Sequence, residues 1–297
     1  MRLLIGNAPC SWGIEFANDP RNPSWTRVLD ETAAAGYAGI ELGPVGFMPE
    51  SPGELATALD QRNLTLTAGV IFQPFHDPAK WEQLCDVARR TADILSALGV
   101  AQIVLVDSTS PHRAETAGRP GEAVRLQGAE LDGLLDRIRT TARMATEEYG
   151  LSASFHAHAA GFVEFEDEIE RVLDAIEPDL LGICLDTGHC TYAGFDPVDF
   201  YKRHADRVTY LHFKDVNPEV KAHVIEHRVG FYDAWALGLF CNLGTGSVDF
   251  PALRAALAEH DYSGWATVEQ ECDPEGSTSP LADARTNLAY LTSVAMA

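Results

Sequence analysis

The stretch Leu180–His189 reads "LLGICLDTGH". A nearly unbroken apolar run stops at Asp186, and an imidazole follows three residues later at His189. A strand with one wet face alternates apolar and polar residues. A short run without alternation fits a strand buried on both faces, as in a parallel sheet covered by helices. "QIVLVD", residues 102–107, repeats the form and also ends on an acid. Working outward from these two, strands are expected at 3–7, 39–42, 64–71, 102–107, 152–156, 181–186, 208–213 and 266–269.

Amphipathic stretches lie between them. Helices are expected at 24–35, 52–62, 80–98, 128–149, 166–176, 197–204, 250–260 and 281–294. "DPAKW" and "DFPAL" put a polar cap and a proline where helices start, and Gly99 and Gly150 stand where helices stop. Strict alternation of eight strands with eight helices predicts an α/β fold, a single (β/α)8 TIM barrel forming one domain over residues 1–297. An open doubly wound sheet is the runner-up, disfavoured because no G-x-G-x-x-G follows the first strand. The connections after strands 4 and 7, residues 108–127 and 216–248, exceed the usual few residues, and "FYDAWALGLF" in the second reads as a short extra helix.

Composition narrows the function. The chain of 297 residues is 46% hydrophobic and carries 44 acids against 22 bases, a net charge of −22. Nothing concentrates positive charge, so nucleic acid is excluded as a partner, and with it a nuclease role. Six cysteines without C-x-x-C spacing read as reduced, mostly buried thiols of a cytoplasmic protein. "LLIGNAPCSW" is too short and polar for a signal segment, and no apolar run is long enough to span a membrane.

In a barrel, the C-terminal ends of the strands meet at one mouth. Asp186, His212 and Glu269 fall at or near the ends of strands 6, 7 and 8. Each alone could be a loop cap. Three from consecutive strands would be costly buried groups unless a divalent cation held them together. Carboxylate and imidazole ligands suit Mn²⁺ or Co²⁺, and also Mg²⁺, Fe²⁺ or Zn²⁺. A fourth ligand should come from strand 5, where His156, His158 and Glu164 are available; Glu164, after a flexible "AAG", is preferred, with His158 left as a substrate or acid–base group. Lys214 shares the inward face with His212 and is a charge balancer or a catalytic group, while Asp215 points away to orient it or cap the loop. Asn7, Trp12, Glu41, His156 and His189 are the expected substrate-binding positions, His76 could lie at the rim, and Glu271 could support Glu269.

Six motifs in order, "NAPCSWG", "GIELGP", "HAHAAGFVE", "LDTGHCTYAGFDP", "LHFKDV" and "GWATVEQE", closely resemble the inosose dehydratase branch of the xylose-isomerase-like sugar isomerase/epimerase superfamily, from about Ile5 to Glu271. The resemblance implies a TIM barrel with one divalent metal at its mouth, held from strands 5 to 8: Asp186, His212 and Glu269, with Glu164 standing in where many relatives carry a glutamate at the position of His156. "HAHAAG" and "EQE" depart from the commoner H-P-H-A-G and E-Q-D.

The activity this implies is dehydration of a keto-inositol (scyllo-inosose, 2-keto-myo-inositol) in inositol catabolism. An α-proton is abstracted beside a polarised ketone and a β-hydroxyl is eliminated. Glu164 or Glu269 would be the base, with Lys214, His158 or His189 as acid; Glu164 and Lys214 with His158 on the leaving group is the preferred assignment. The alternative is a keto-sugar isomerase or epimerase, in which the proton returns to carbon. A dehydratase for a cyclic polyol acid would instead need bases such as Arg113, Arg119, Arg125 and Arg228, and a non-catalytic polyol-binding barrel need not keep four metal ligands. Metal identity, substrate stereochemistry and any homo-oligomeric state are left open by the sequence.

Overall fold

The computed structural model describes residues 2–270 and 279–297. Eight parallel strand positions form a ring: β1 (Arg2–Asn7), β2 (Gly39–Ile40), β3 (Thr65–Leu66 continued by Ala68–Gln73), β4 (Gln102–Asp107), β5 (Ser152–His156), β6 (Gly182–Asp186), β7 (Val208–Phe213) and β8 (Ser263–Val268). Each pairs with its sequence neighbour, and β8 returns to β1 with Arg2 opposite Ser263 and Asn7 opposite Val268. Closure between β2 and β4 runs through the interrupted β3. Thr65–Leu66 pairs with β2, Ala68–Gln73 pairs with β4, and Thr67 N–H donates to Ile40 O across the break at 2.9 Å.

Helices α1 (Trp25–Ala35), α2 (Pro52–Asp60), α3 (Trp81–Ala97), α4 (Ala129–Arg143), α5 (Glu166–Ala175), α6 (Pro197–His204), α7 (Phe250–Glu259) and α8 (Pro280–Ser293) follow the strands in turn. Their starts obey the expected chemistry. Asp196 accepts from Val198 and Asp199 N–H, and Asp249 accepts from Ala252 N–H, each ahead of a proline. The main core lies between strands and helices, and a smaller set of Ala68, Val104, Val106, Cys184 and Tyr210 fills the barrel. Tyr210 is wholly buried there, yet its hydroxyl is satisfied by Thr67 and Thr267.

Two expectations change. β2 is shorter than 39–42 and β8 ends at Val268, one residue before Glu269. Residues after Asp186, where no helix was expected, form one at Thr187–Ala193, capped by the Asp186 side chain on His189 N–H and closed by Gly194 at φ +98°. The long connections carry short helices: Pro111–Ala114 after β4, and Pro218–His227 and Phe231–Ala236 after β7. Among the described cysteines, Cys184 and Cys190 are buried, and Cys10, Cys85 and Cys241 are half-buried rather than internal. No described helix is long and apolar enough to cross a membrane.

Candidate metal centre

Along a strand, residues two apart share a face. That places Cys184 beneath Asp186 on β6 and Tyr210 beneath His212 on β7, and the register sets Asp186 beside His212. β5 brings His156 to the same level, and Glu269 arrives just past β8, its N–H bonded to Phe213 O at 3.0 Å. One ligating atom from each of His156, Asp186, His212 and Glu269 lies within 4.8 Å of the other three. Asp186 Oδ2 is 3.4 Å from His156 Nε2 and 3.9 Å from His212 Nδ1, and Glu269 Oε2 is 3.4 Å from His212 Nδ1.

Asp186 Oδ2 and His212 Nδ1 are buried without a hydrogen-bond partner. Such atoms are expensive unless something between them accepts their lone pairs. Two imidazoles and two carboxylates are a donor set for a first-row divalent cation, so these residues fit the ion. The supporting bonds orient the candidate ligands. His212 Nε2 donates to Glu41 Oε1 at 3.0 Å, which leaves Nδ1 turned to the cluster, and Asp186 Oδ1 is occupied by His189 N–H at 2.8 Å.

Lys214 lies behind the cluster, 1% exposed, with Nζ 3.1 Å from Glu269 Oε2, 3.6 Å from Asp186 Oδ2 and 3.0 Å from His189 Nε2. Its stem crosses Gly188, where an added Cβ would sit 2.7 Å from Lys214 Cβ; the glycine in "DTGH" makes room for the lysine. Burial would raise the Asp186 carboxyl, but Lys214 together with the His189 and His156 imidazoles outweighs burial and holds it well below the ordinary range. Glu269 is likewise held low against burial, by His212 and Lys214. His189 is pushed well down by burial and by the Lys214 charge, so its ring is neutral; Nδ1 accepts Ala159 N–H at 3.1 Å.

A cavity of about 410 Å³ borders the cluster. Glu41, His156, His158, His212 and Glu269 form its polar side, and Phe72, Phe231 and Trp235 are among its apolar walls. The volume suits a small organic ligand.

Several expectations are corrected. Glu164 does not reach the cluster. Its carboxylate accepts from Gly118 N–H (2.6 Å), Ala160 N–H (3.2 Å) and Arg113 Nη2 (3.2 Å), and His156 fills the β5 position instead. The "AAG" chain folds into a turn that faces the carboxylate toward Arg113 and Gly118 in the loop after β4, not the barrel axis. Trp12 is buried with its Nε1 on Glu31, and Asn7 Oδ1 serves Ala8 N–H and Ser11 Oγ; neither lines the cavity. His189 and Lys214 also stand behind the cavity wall rather than on it. Glu41 does line it, while also holding His212. His76 bonds Asp107 through Nδ1, and Asp215 caps the loop at 244–248 instead of orienting Lys214. The four loop arginines are engaged with acids: Arg113 with Glu164 and Glu168, Arg119 and Arg228 with Glu122, Arg125 with Asp167. None of these four lines the cavity; the arginine that does, Arg90, is paired with Glu50 and Asp86. Glu271 lies outside the described residues. Sequence reasoning missed the buried Arg113–Glu164–Glu168 group, whose arginine lies some fifty residues before the two glutamates and leaves no local signal.

With this geometry in hand, the relationships of the chain are clear. A family model described as "Xylose isomerase-like TIM barrel" matches residues 29–294. The chain belongs to that family and, within it, to the inosose dehydratase branch. It is 32% identical over 280 residues to "Inosose dehydratase" of Geobacillus kaustophilus, spanning 91% of this chain and 88% of that one. It is 34% identical over 252 residues to "Rhizopine catabolism protein MocC" of Rhizobium meliloti, spanning 83% and 74%. In solved structures the fold recurs in the IOLI protein with a bound zinc atom, at 16% identity and TM-score 0.70 over 99% of this chain and 98% of that one.

Proposed function

We propose that the protein is a divalent-metal-dependent dehydratase acting on a keto-inositol such as scyllo-inosose (2-keto-myo-inositol). The observation that carries the reading is the convergence of His156, Asp186, His212 and Glu269 beside a small-molecule cavity. The substrate class is supported by the name of the Geobacillus kaustophilus relative, at 32% identity.

A bound divalent cation would supply Lewis acidity to a ketone oxygen, making the adjacent C–H labile. Glu41 keeps His212 in its liganding tautomer. Glu269, which reaches the cavity with Lys214 Nζ 3.1 Å behind it, takes the α-proton. His158, also on the cavity wall, gives a proton to the departing β-hydroxyl, which leaves as water. The resulting enol tautomerises to a dione.

The test is turnover of scyllo-inosose by the purified protein, after chelation and after return of Mn²⁺ or Co²⁺. A dione product absorbing in the near ultraviolet, lost with the chelator and regained with metal, is expected. Return of the proton to carbon, read as an epimer without that absorbance, would replace this reading by a keto-sugar epimerase. Protein that holds no divalent metal would refute the site itself.

A further inference from the structure

The chain leaves β5 through a tight turn. Gly161 N–H closes it on His158 O at 3.0 Å, and Ala160, its third residue, has φ +66°. That position is ordinary for glycine and strained for alanine. Left to itself, an alanine there favours the turn with its central peptide reversed.

That central peptide joins Ala159 to Ala160, and both its polar atoms are in use. Its N–H points to Glu164 Oε2 at 3.2 Å. Its carbonyl, Ala159 O, lies 2.7 Å from His158 Nδ1. Across a trans peptide the N–H and C=O point in opposite directions, so fixing one fixes the other. A carbonyl oxygen only accepts, so His158 Nδ1 carries a hydrogen in either charge state, and Nε2 is the nitrogen left to carry the proton given to the leaving hydroxyl.

Glu164 is itself held from three sides. Oε1 accepts Gly118 N–H, and Arg113, fully buried, bridges Glu164 Oε2 to both oxygens of Glu168. Glu168 in turn accepts the N–H groups of Glu164 and Phe165. The loop after β4 and the start of α5 thus clamp one carboxylate against one peptide.

We infer that Glu164 is a positioning residue: by holding the Ala159–Ala160 peptide in its strained orientation, it sets the tautomer and direction of the His158 ring at the cavity wall. Neither liganding nor proton abstraction is then its task. The inference uses the dehydratase reading only where turnover is measured.

The test uses the full-length, metal-loaded protein with ¹⁵N-labelled histidine. In the wild type, His158 gives the signature of the Nδ1–H tautomer. In Glu164→Gln, an amide replaces a carboxylate that faced three donors, the peptide reverses, and His158 shifts to a mixture of tautomers. Turnover number falls about 100-fold, KM stays within about threefold, and metal content is unchanged. Adding Ala160→Gly, which makes φ +66° unstrained, restores the Nδ1–H signature and recovers turnover at least about tenfold. The double variant also serves if Glu164→Gln folds poorly, because the glycine relieves the strained turn. An unchanged His158 tautomer in Glu164→Gln overturns the inference, and so does loss of metal. A double variant that stays as impaired as the single one overturns it as well. If the tautomer responds as stated but no keto-inositol turns over in any variant, the positioning role stands and the substrate reading fails.

Discussion

Glu164 also gives the sharpest prediction about stability. Burial pushes its carboxyl from the ordinary 4.5 up to about 7, with Arg113 and the N–H groups of Gly118 and Ala160 opposing the rise only in part. A folded state that binds a proton more tightly than the unfolded chain is favoured where that proton is present. The contribution is complete below pH 4.5 and is lost as pH climbs through about 7. At 1.36 kcal/mol per tenfold change in affinity, the interval corresponds to about 3 kcal/mol. The side chain is almost wholly enclosed, so solvent screening takes little from that figure. Glu164→Gln has no proton to gain. Urea unfolding of wild type and of the Glu164→Gln/Ala160→Gly double variant from pH 4.5 to 8 isolates the group, since the double variant keeps the His158 ring in place and the other titrations are common to both. The stability of the wild type relative to the variant should fall by about 3 kcal/mol across the interval. Parallel curves would refute the burial argument, and a difference that grows with pH would mean that Arg113 outweighs burial.

Lys214→Met removes the charge 3.1 Å from Glu269 while keeping the stem over Gly188; turnover should drop by about 10²–10⁴ with metal content retained, and unchanged turnover would remove Lys214 from the chemistry. Asp215→Ala strips the acceptor of four backbone N–H groups, those of Val216, Gly244, Gly246 and Val248, at 2.9–3.0 Å. Urea unfolding should show a loss of about 3–5 kcal/mol, and a loss under about 1 kcal/mol would mean that water replaces the carboxylate there.

Much of the molecule was legible before any coordinates. Unbroken apolar runs and their abrupt acidic ends marked β4 and β6, and alternation with capped helices pointed to the barrel. Asp186, His212 and Glu269 were legible because the barrel rule sends every strand end to one rim, whatever its place along the chain. The helix at Thr187–Ala193 was not, because Gly188 inside so short a segment weighs against a helix, and the Asp186 cap and the passage of Lys214 over Gly188 outweigh it.

The amino-acid order alone therefore determined the architecture and three corners of the candidate metal site, since apolar runs and their polar ends are local properties. Only the folded chain decided the fourth corner. Choosing His156 over Glu164 depends on where Ala160 turns, and on whether Arg113, fifty-one residues earlier, reaches the carboxylate first. That competition is between partners distant in sequence, and no local pattern records its outcome.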